Sequence, residues 1–138
     1  YKGPRSLFSG GAGLTSTGSD YGRFLQMLLN GGVLDGVRVL KPETVRAMTS
    51  NQIADFPLTL GQVHGDRFGF GFGVVTPAGK DKVSMSPGSF SWGGFFHTYA
   101  WVDPEKKLVG VFMTQLYPSG GTTIQADFVK ASYGALAD

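Results

Sequence analysis

The sequence predicts an α+β domain, an antiparallel sheet meander with flanking helices, and three observations carry that reading. Apolar residues repeat with a period near 3.6 over residues 20–30, aromatic and glycine residues alternate from Phe68 to Val74, and two apolar runs flank Asp103-Pro104. Helical patterns come first, strands follow one another directly, and a last helical pattern closes the chain. Such segregation belongs to α+β rather than to alternating α/β architectures.

Each element has a local reason. After a glycine- and serine-rich stretch through Ser19, a helix is predicted from about Asp20 to Asn30, with Tyr21, Phe24, Leu25, Leu28 and Leu29 on one stripe. Ser19 or Asp20 is the expected cap, and Gly31-Gly32 the stop. Leu34 to Leu40 reads as a small hairpin around Asp35-Gly36, and Pro42 opens a short helix through Met48. From Thr49 to Asp66 the periodicity is lost, which predicts a long loop near the rim of a site. Phe68, Phe70, Phe72 and Val74 alternate with glycines, as in a strand with one aromatic and one bare face. Pro77 to Lys80 turns the chain, and Val83 to Met85 is read as the start of a return strand.

The run from Ser89 to Gln115 is the most informative. Trp92-Gly93-Gly94-Phe95 reads as the opening of a buried strand containing Phe96, Tyr99, Trp101 and Val102. Asp103-Pro104 turns into a second strand with Leu108, Val109, Val111, Phe112 and Met113. Both runs are apolar on both faces, the pattern of strands inside a covered sheet. Gly120-Gly121 precedes the final helix, capped by Thr122 or Thr123, with Ile124, Phe128, Ser132 and Ala135 along one face.

Composition excludes several functions. The 138 residues are 41% hydrophobic and 16% charged, a globular balance with a net charge of +2. The charges are dispersed, so no basic stripe points to nucleic acid. No apolar run approaches the ~20 residues of a membrane span, and no membrane partner is expected. There is no cysteine, and two histidines without a His-Glu-x-x-His pattern make a metal site unexpected; no cofactor is implied. Nothing here fixes a compartment. The 22 glycines exceed twice the usual ~7% usage and fall in clusters, marking turns and close backbone contacts.

The chemistry is concentrated at Trp92-Gly93-Gly94-Phe95. Two glycines let a backbone approach a ligand closely and leave the Phe95 N–H able to point at it. The bland alternative is a β-bulge at Gly93-Gly94 with Trp92 as a core aromatic. The segment resembles the third conserved element of the serine β-lactamase and penicillin-binding protein superfamily. It is most similar to the class C-like branch known as family VIII carboxylesterases, in which a Lys-Thr-Gly, His-x-Gly or Trp-Gly-Gly triplet lies beside the nucleophile. Gly10-Gly11-Ala12-Gly13-Leu14-Thr15-Ser16-Thr17, the helix from Asp20, Trp101-Val102-Asp103-Pro104 and Met113-Thr114-Gln115 extend the resemblance over most of Phe8 to Gln115.

The resemblance implies a serine hydrolase in which the Phe95 N–H is one oxyanion donor and Ser91, Trp92, Gly93 and Gly94 bind substrate. It implies an uncharged ester or amide substrate, because Trp92 stands where penicillin-recognising relatives carry lysine. It further implies that Asp20 and Arg23 fix the glycine segment beside the cleft. The family nucleophile lies in Ser-x-x-Lys, and no serine of this chain has lysine three places later. Residues 1–138 are therefore expected to be a single partial domain, the C-terminal part of a β-lactamase-like fold, inactive alone. A complementing N-terminal fragment or self-association is the expected partner, since a free sheet edge invites pairing. The alternative from another class is a non-catalytic binding module on the same scaffold. His97 and His64 are read as packed or solvent-facing rather than as bases. Ser89 to Gly93 lacks the first glycine of a nucleophile elbow, and Gly11-Ala12-Gly13 lacks the leading strand of a phosphate cradle.

Overall fold

The structure, a computed structural model, describes residues 6, 10–11, 14–58 and 65–136. Helix α1 spans Gly18–Leu29 and begins earlier than the apolar period indicates. Its cap is Thr17, not Ser19 or Asp20: Thr17 Oγ1 accepts from the Asp20 N–H at 3.1 Å and donates to the Asp20 carboxylate at 2.9 Å. Asp20 thereby becomes the third helical residue, where a carboxylate meets the positive end of the helix. At the other end the Gly31 and Gly32 N–H groups donate to the Leu28 and Met27 carbonyls at 3.0 and 2.8 Å, both glycines having positive φ. A methyl group on Gly32 would also strike the Leu40 carbonyl, so glycine is required there twice over.

Strands β1, Val33–Leu34, and β2, Val37–Arg38, pair around Asp35 and Gly36, both left-handed at φ +50° and +79°. That is the turn an Asp-Gly hairpin predicts. Helix α2 follows over Pro42–Met48, as its N-terminal proline indicates.

The main sheet is a five-stranded antiparallel meander in sequence order. The Phe-Gly alternation does not form one strand. It folds into β3, Arg67–Phe68, and β4, Gly73–Val74, around a turn closed by Gly69 N–H to Phe72 O at 2.8 Å. Gly71 at φ +91° makes the reversal, and a side chain on Gly69 would collide with the Met48 carbonyl. The alternating glycines are the turn, not a bare face. Nor do Val83 to Met85 begin a strand. After a single 3-10 turn at Lys80–Lys82 the chain bends, and the Ser86 N–H is held by Asp103 instead of by a ladder partner.

Strands β5, Phe90–Gly93, β6, Tyr99–Asp103, and β7, Leu108–Phe112, complete the sheet, with Trp92 opposite Ala100 and Trp101 opposite Gly110. Trp92-Gly93 thus closes β5 rather than opening the next strand, and Phe96 lies outside both strands, 47% exposed. Strand β6 is buried throughout. Ala100 and Val102 join Leu25, Leu28, Phe72 and Phe90 on the α1 face, while Tyr99 and Trp101 join Val75, Met85 and Val129 on the other. The two-sided apolar pattern therefore describes β6 correctly. It overstates β7, the outermost strand at its end among the described residues, whose side chains are mostly half-buried.

Helix α3, Ile124–Gly134, covers the second face. Its buried positions are Gln125 and Val129, with Tyr133 half-buried behind them, one residue out of phase with the predicted Ile124, Phe128 and Ser132 face. Asp103 ties this layer together. Fully buried, it accepts from Tyr133 OH at 2.6 Å and from the N–H groups of Ser86 and Lys106 at 3.0 Å. Burial pushes its carboxyl up, but the Tyr133 hydroxyl and the two N–H groups outweigh that and hold it below the usual carboxylate range.

Two stability outcomes follow from this packing. A methyl group on Gly110 would collide with the Trp101 indole, so Gly110→Ala should cost about 1–3 kcal/mol in urea unfolding, as overpacked cores do. Because the folded Asp103 pKa is lowered, its contribution is fully present above the unfolded value of about 3.9 and is lost as pH falls through the lower folded value. Asp103→Asn should unfold more readily at neutral pH and lose part of the acid sensitivity of stability. Equal acid slopes would contradict the assignment.

Candidate functional site

The hairpin joining β5 to β6 positions the site. Gly94 O accepts from the His97 N–H at 3.0 Å, and the Gly94 N–H donates to Thr98 O at 2.8 Å. Phe95 and Phe96 are the central residues, and His97 is left-handed at φ +65°. This is a three-residue hairpin loop, a turn of type I followed by one left-handed residue. Such a turn uses the N–H of its fourth residue and leaves that of its second unused. Among the described residues the Phe95 N–H accordingly has no hydrogen-bond acceptor.

Three further bonds immobilise the loop. Thr114 Oγ1 and the Leu116 N–H donate to the Phe96 carbonyl at 2.7 and 3.1 Å. Gln125 Nε2 donates to the His97 carbonyl at 2.9 Å, which explains a buried amide on α3. A methyl group on Gly94 would meet the Thr98 hydroxyl, so a side chain there would force Thr98 to turn away.

A cleft of about 400 Å³ opens beside this hairpin. Trp92, Gly93 and Gly94 form one wall, Thr17 and Tyr21 at the start of α1 another, and Val111 and Met113 a third. Gly11, Leu14 and Ser16 also line it, so the glycine segment does reach the cleft. Among the described residues the Asp20 carboxylate bonds only Thr17, the last residue of that segment, whereas Arg23 pairs with Asp35 of the β1–β2 hairpin at 2.5 Å. None of the described residues lining the cleft carries a charge.

The predicted residues divide. Trp92 is both core and wall: half-buried, it packs edge-on against Phe68 with centroids 5.1 Å apart while its exposed part lines the cleft. Gly93 pairs regularly with Tyr99, so no bulge occurs there; the irregular residue is His97. Ser91 does not join the cleft. It is 1% exposed, and its side chain bonds Tyr99, whose hydroxyl burial pushes far above its usual range despite that bond. His97 is half-buried, with Nε2 enclosed and lacking a partner among the described residues, and it is not part of the cleft lining. His64 lies outside the described residues, as do Phe8, Ser9, Ala12 and Gly13.

The described part of the loop after Thr49 does not rim this cleft. Pro57 and Leu58 line another cavity of about 460 Å³, with Asp66, Arg67 and Lys82. Its carboxylate is engaged structurally: Asp66 accepts from the Thr76 N–H and hydroxyl, both at 2.7 Å. Burial raises the Asp66 carboxyl, but those bonds dominate and hold it below its ordinary value. Among the described residues no group of three His, Cys, Asp or Glu side chains could hold a metal. No described helix is long and apolar enough to cross a membrane. Sequence reasoning missed Thr98 and Gln125. Gln125 carried a signal, a lone amide on an otherwise apolar helical face, which the misassigned helix phase concealed.

The family model described as Beta-lactamase matches residues 1–134. Protein Rv1367c of Mycobacterium tuberculosis is 34% identical over 161 aligned positions, covering 96% of this chain and 39% of that protein. Acyltransferase calJ of Penicillium decumbens is 27% identical over 130 positions, covering 83% of this chain and 30% of that protein. The chain thus spans well under half the length of these curated relatives. A crystal structure of a candidate beta-lactamase from Bacteroides dorei superposes with a TM-score of 0.63 at 20% identity, covering 84% of this chain and 38% of that one.

The hairpin geometry makes a direct prediction. Gly94→Ala should destabilise the chain by about 1–3 kcal/mol, and Thr98→Ala in the same chain should recover much of that loss. A double-mutant cycle by thermal unfolding measures the coupling, which should exceed ~0.5 kcal/mol. Strict additivity would show that the two residues do not meet.

Proposed function

The chain belongs to the beta-lactamase family, and we propose that it supplies the oxyanion side of an acyl-transfer site whose attacking serine lies outside residues 1–138. The observation that carries this reading is the Phe95 N–H, which among the described residues has no acceptor and sits in a braced turn next to a cleft whose described lining is uncharged. In acyl transfer a serine oxygen attacks the substrate carbonyl, and negative charge gathers on the carbonyl oxygen. A fixed N–H at that oxygen stabilises the transition state more than the ground state. The turn's hydrogen bonds are already made, so the donor need not reorganise as charge develops.

The substrate class follows from the cleft. An indole at Trp92 cannot pair with a carboxylate as lysine does, and no described wall residue is charged. An uncharged ester or amide is favoured over a β-lactam that bears a carboxylate. The name of the Penicillium relative is consistent with acyl transfer in general. The edge of β7, unpaired among the described residues and with Met113 53% exposed just past it, suits a complementing strand.

The test combines the chain with the part of the Mycobacterium relative that lies outside the matched region. The mixture should hydrolyse p-nitrophenyl butyrate, and a serine-directed phosphonate should label only the added polypeptide. Phe95→Pro is the sharpest variant, because proline fits the second position of this turn yet lacks the N–H. It should lower kcat about 10²- to 10³-fold relative to Phe95→Ala. Labelling of the 138-residue chain itself, or equal kcat for the two variants, contradicts the proposal.

A further inference from the structure

We propose that the side chains of Phe95, Phe96 and Tyr117 form a subsite for an uncharged aryl group of the substrate, at the rim of the cleft. The inference rests on the acyl-transfer reading for what the cleft does, but not for its own test. Phe95 and Tyr117 stack with centroids 4.6 Å apart and planes 22° apart. Phe96 stands edge-on to both, at 5.3 and 6.5 Å. The three rings are 71%, 47% and 62% exposed. Single apolar residues on a surface need no explanation, but a contiguous ring cluster does.

The cluster is built rather than incidental. The bonds from Thr114 and Leu116 to the Phe96 carbonyl fasten the segment bearing Tyr117 to the loop bearing Phe95 and Phe96. The rings are therefore held together by backbone geometry before any ligand arrives. Continuity with the cleft is short on both sides: Gly94, a wall residue, precedes Phe95, and Met113, another wall residue, lies four residues before Tyr117.

Charge and size select the occupant. No Asp, Glu, Lys or Arg occurs between Lys82 and Asp103 or between Lys107 and Asp127, the two stretches that supply the rings and most of the cleft. Those two stretches offer a charged ligand no counter-ion. Three rings offer far less than the ~800 Å² per partner of a stable protein interface, but they match one flat ring. Aromatic faces and edges discriminate aryl from alkyl groups of similar area, since offset and edge-on pairs add to area burial.

The experiment titrates the 138-residue chain with three unreactive amides by NMR: acetanilide, N-cyclohexylacetamide and N-methylacetamide. Acetanilide should shift the Phe95, Phe96 and Tyr117 signals saturably and bind more tightly than the cyclohexyl amide, and N-methylacetamide should not saturate. Phe95→Ala and Tyr117→Ala should each weaken acetanilide about three- to tenfold, with Tyr117→Phe restoring it. Exposed side chains make these variants safe for folding, and an unchanged thermal midpoint verifies it. Absence of saturation, equal binding of the cyclohexyl amide, or indifference to the variants overturns the subsite. So does displacement of acetanilide by the complementing polypeptide, which would show that protein covers the rings. Acetanilide binding as described in a mixture that hydrolyses no ester leaves the subsite standing and removes the acyl-transfer reading; hydrolysis without aryl preference does the reverse.

Discussion

The structure turns on how the β5–β6 loop closes. Gly94 gives its carbonyl to His97 and its N–H to Thr98, which completes the hairpin while using nothing from Phe95. A longer or looser connection could let the Phe95 amide rotate onto a neighbouring carbonyl. A two-residue turn centred on Phe96 and His97 would make Phe95 a flanking residue and place its N–H within the ladder. The three-residue loop has neither outcome, at the expense of a left-handed histidine, a conformation that disfavours L side chains by roughly 1–2 kcal/mol. That strain is tolerated because Thr114, Leu116 and Gln125 fix the loop from outside.

Those braces explain why the fold has its particular layers. Gln125 can reach the His97 carbonyl only because α3 lies against the face holding Tyr99 and Trp101, and α3 lies there partly because Tyr133 bonds the buried Asp103. Asp103 in turn fixes the β6–β7 turn through Lys106 and the approach to β5 through Ser86. On the opposite face, α1 packs over Ala100 and Val102 while its Thr17 cap forms part of the cleft. Residues more than seventy positions apart are thus brought to one opening by a sheet buried on both sides.

Much of this was legible in the sequence, and the failures have physical causes. Helix periodicity located α1, the Asp-Gly pair gave its hairpin, and the runs around Asp103-Pro104 gave β6 and β7, because each signal is local. The Phe-Gly alternation misled because glycine serves equally in a pleat and in a reversal, and only the contact of Gly69 with the end of α2 decides between them. Helix α3 was placed but turned by one residue, since its buried face contains a glutamine whose acceptor, the His97 carbonyl, lies 28 residues away. Ser91, which the resemblance groups with the substrate-binding residues, alternates with Trp92 across the strand and is buried against Tyr99 instead.

The acyl-transfer proposal stands or falls on one atom, the nitrogen of Phe95. A crystal structure of the complemented protein carrying a phosphonate on its serine would place a phosphoryl oxygen where the carbonyl oxygen of an ester would develop charge. That oxygen is expected at about 2.7–3.1 Å from the Phe95 nitrogen, with the Gly94–Thr98 hairpin unchanged. A phosphoryl oxygen held elsewhere, with the Phe95 N–H bonded to a carbonyl of the protein, would contradict it.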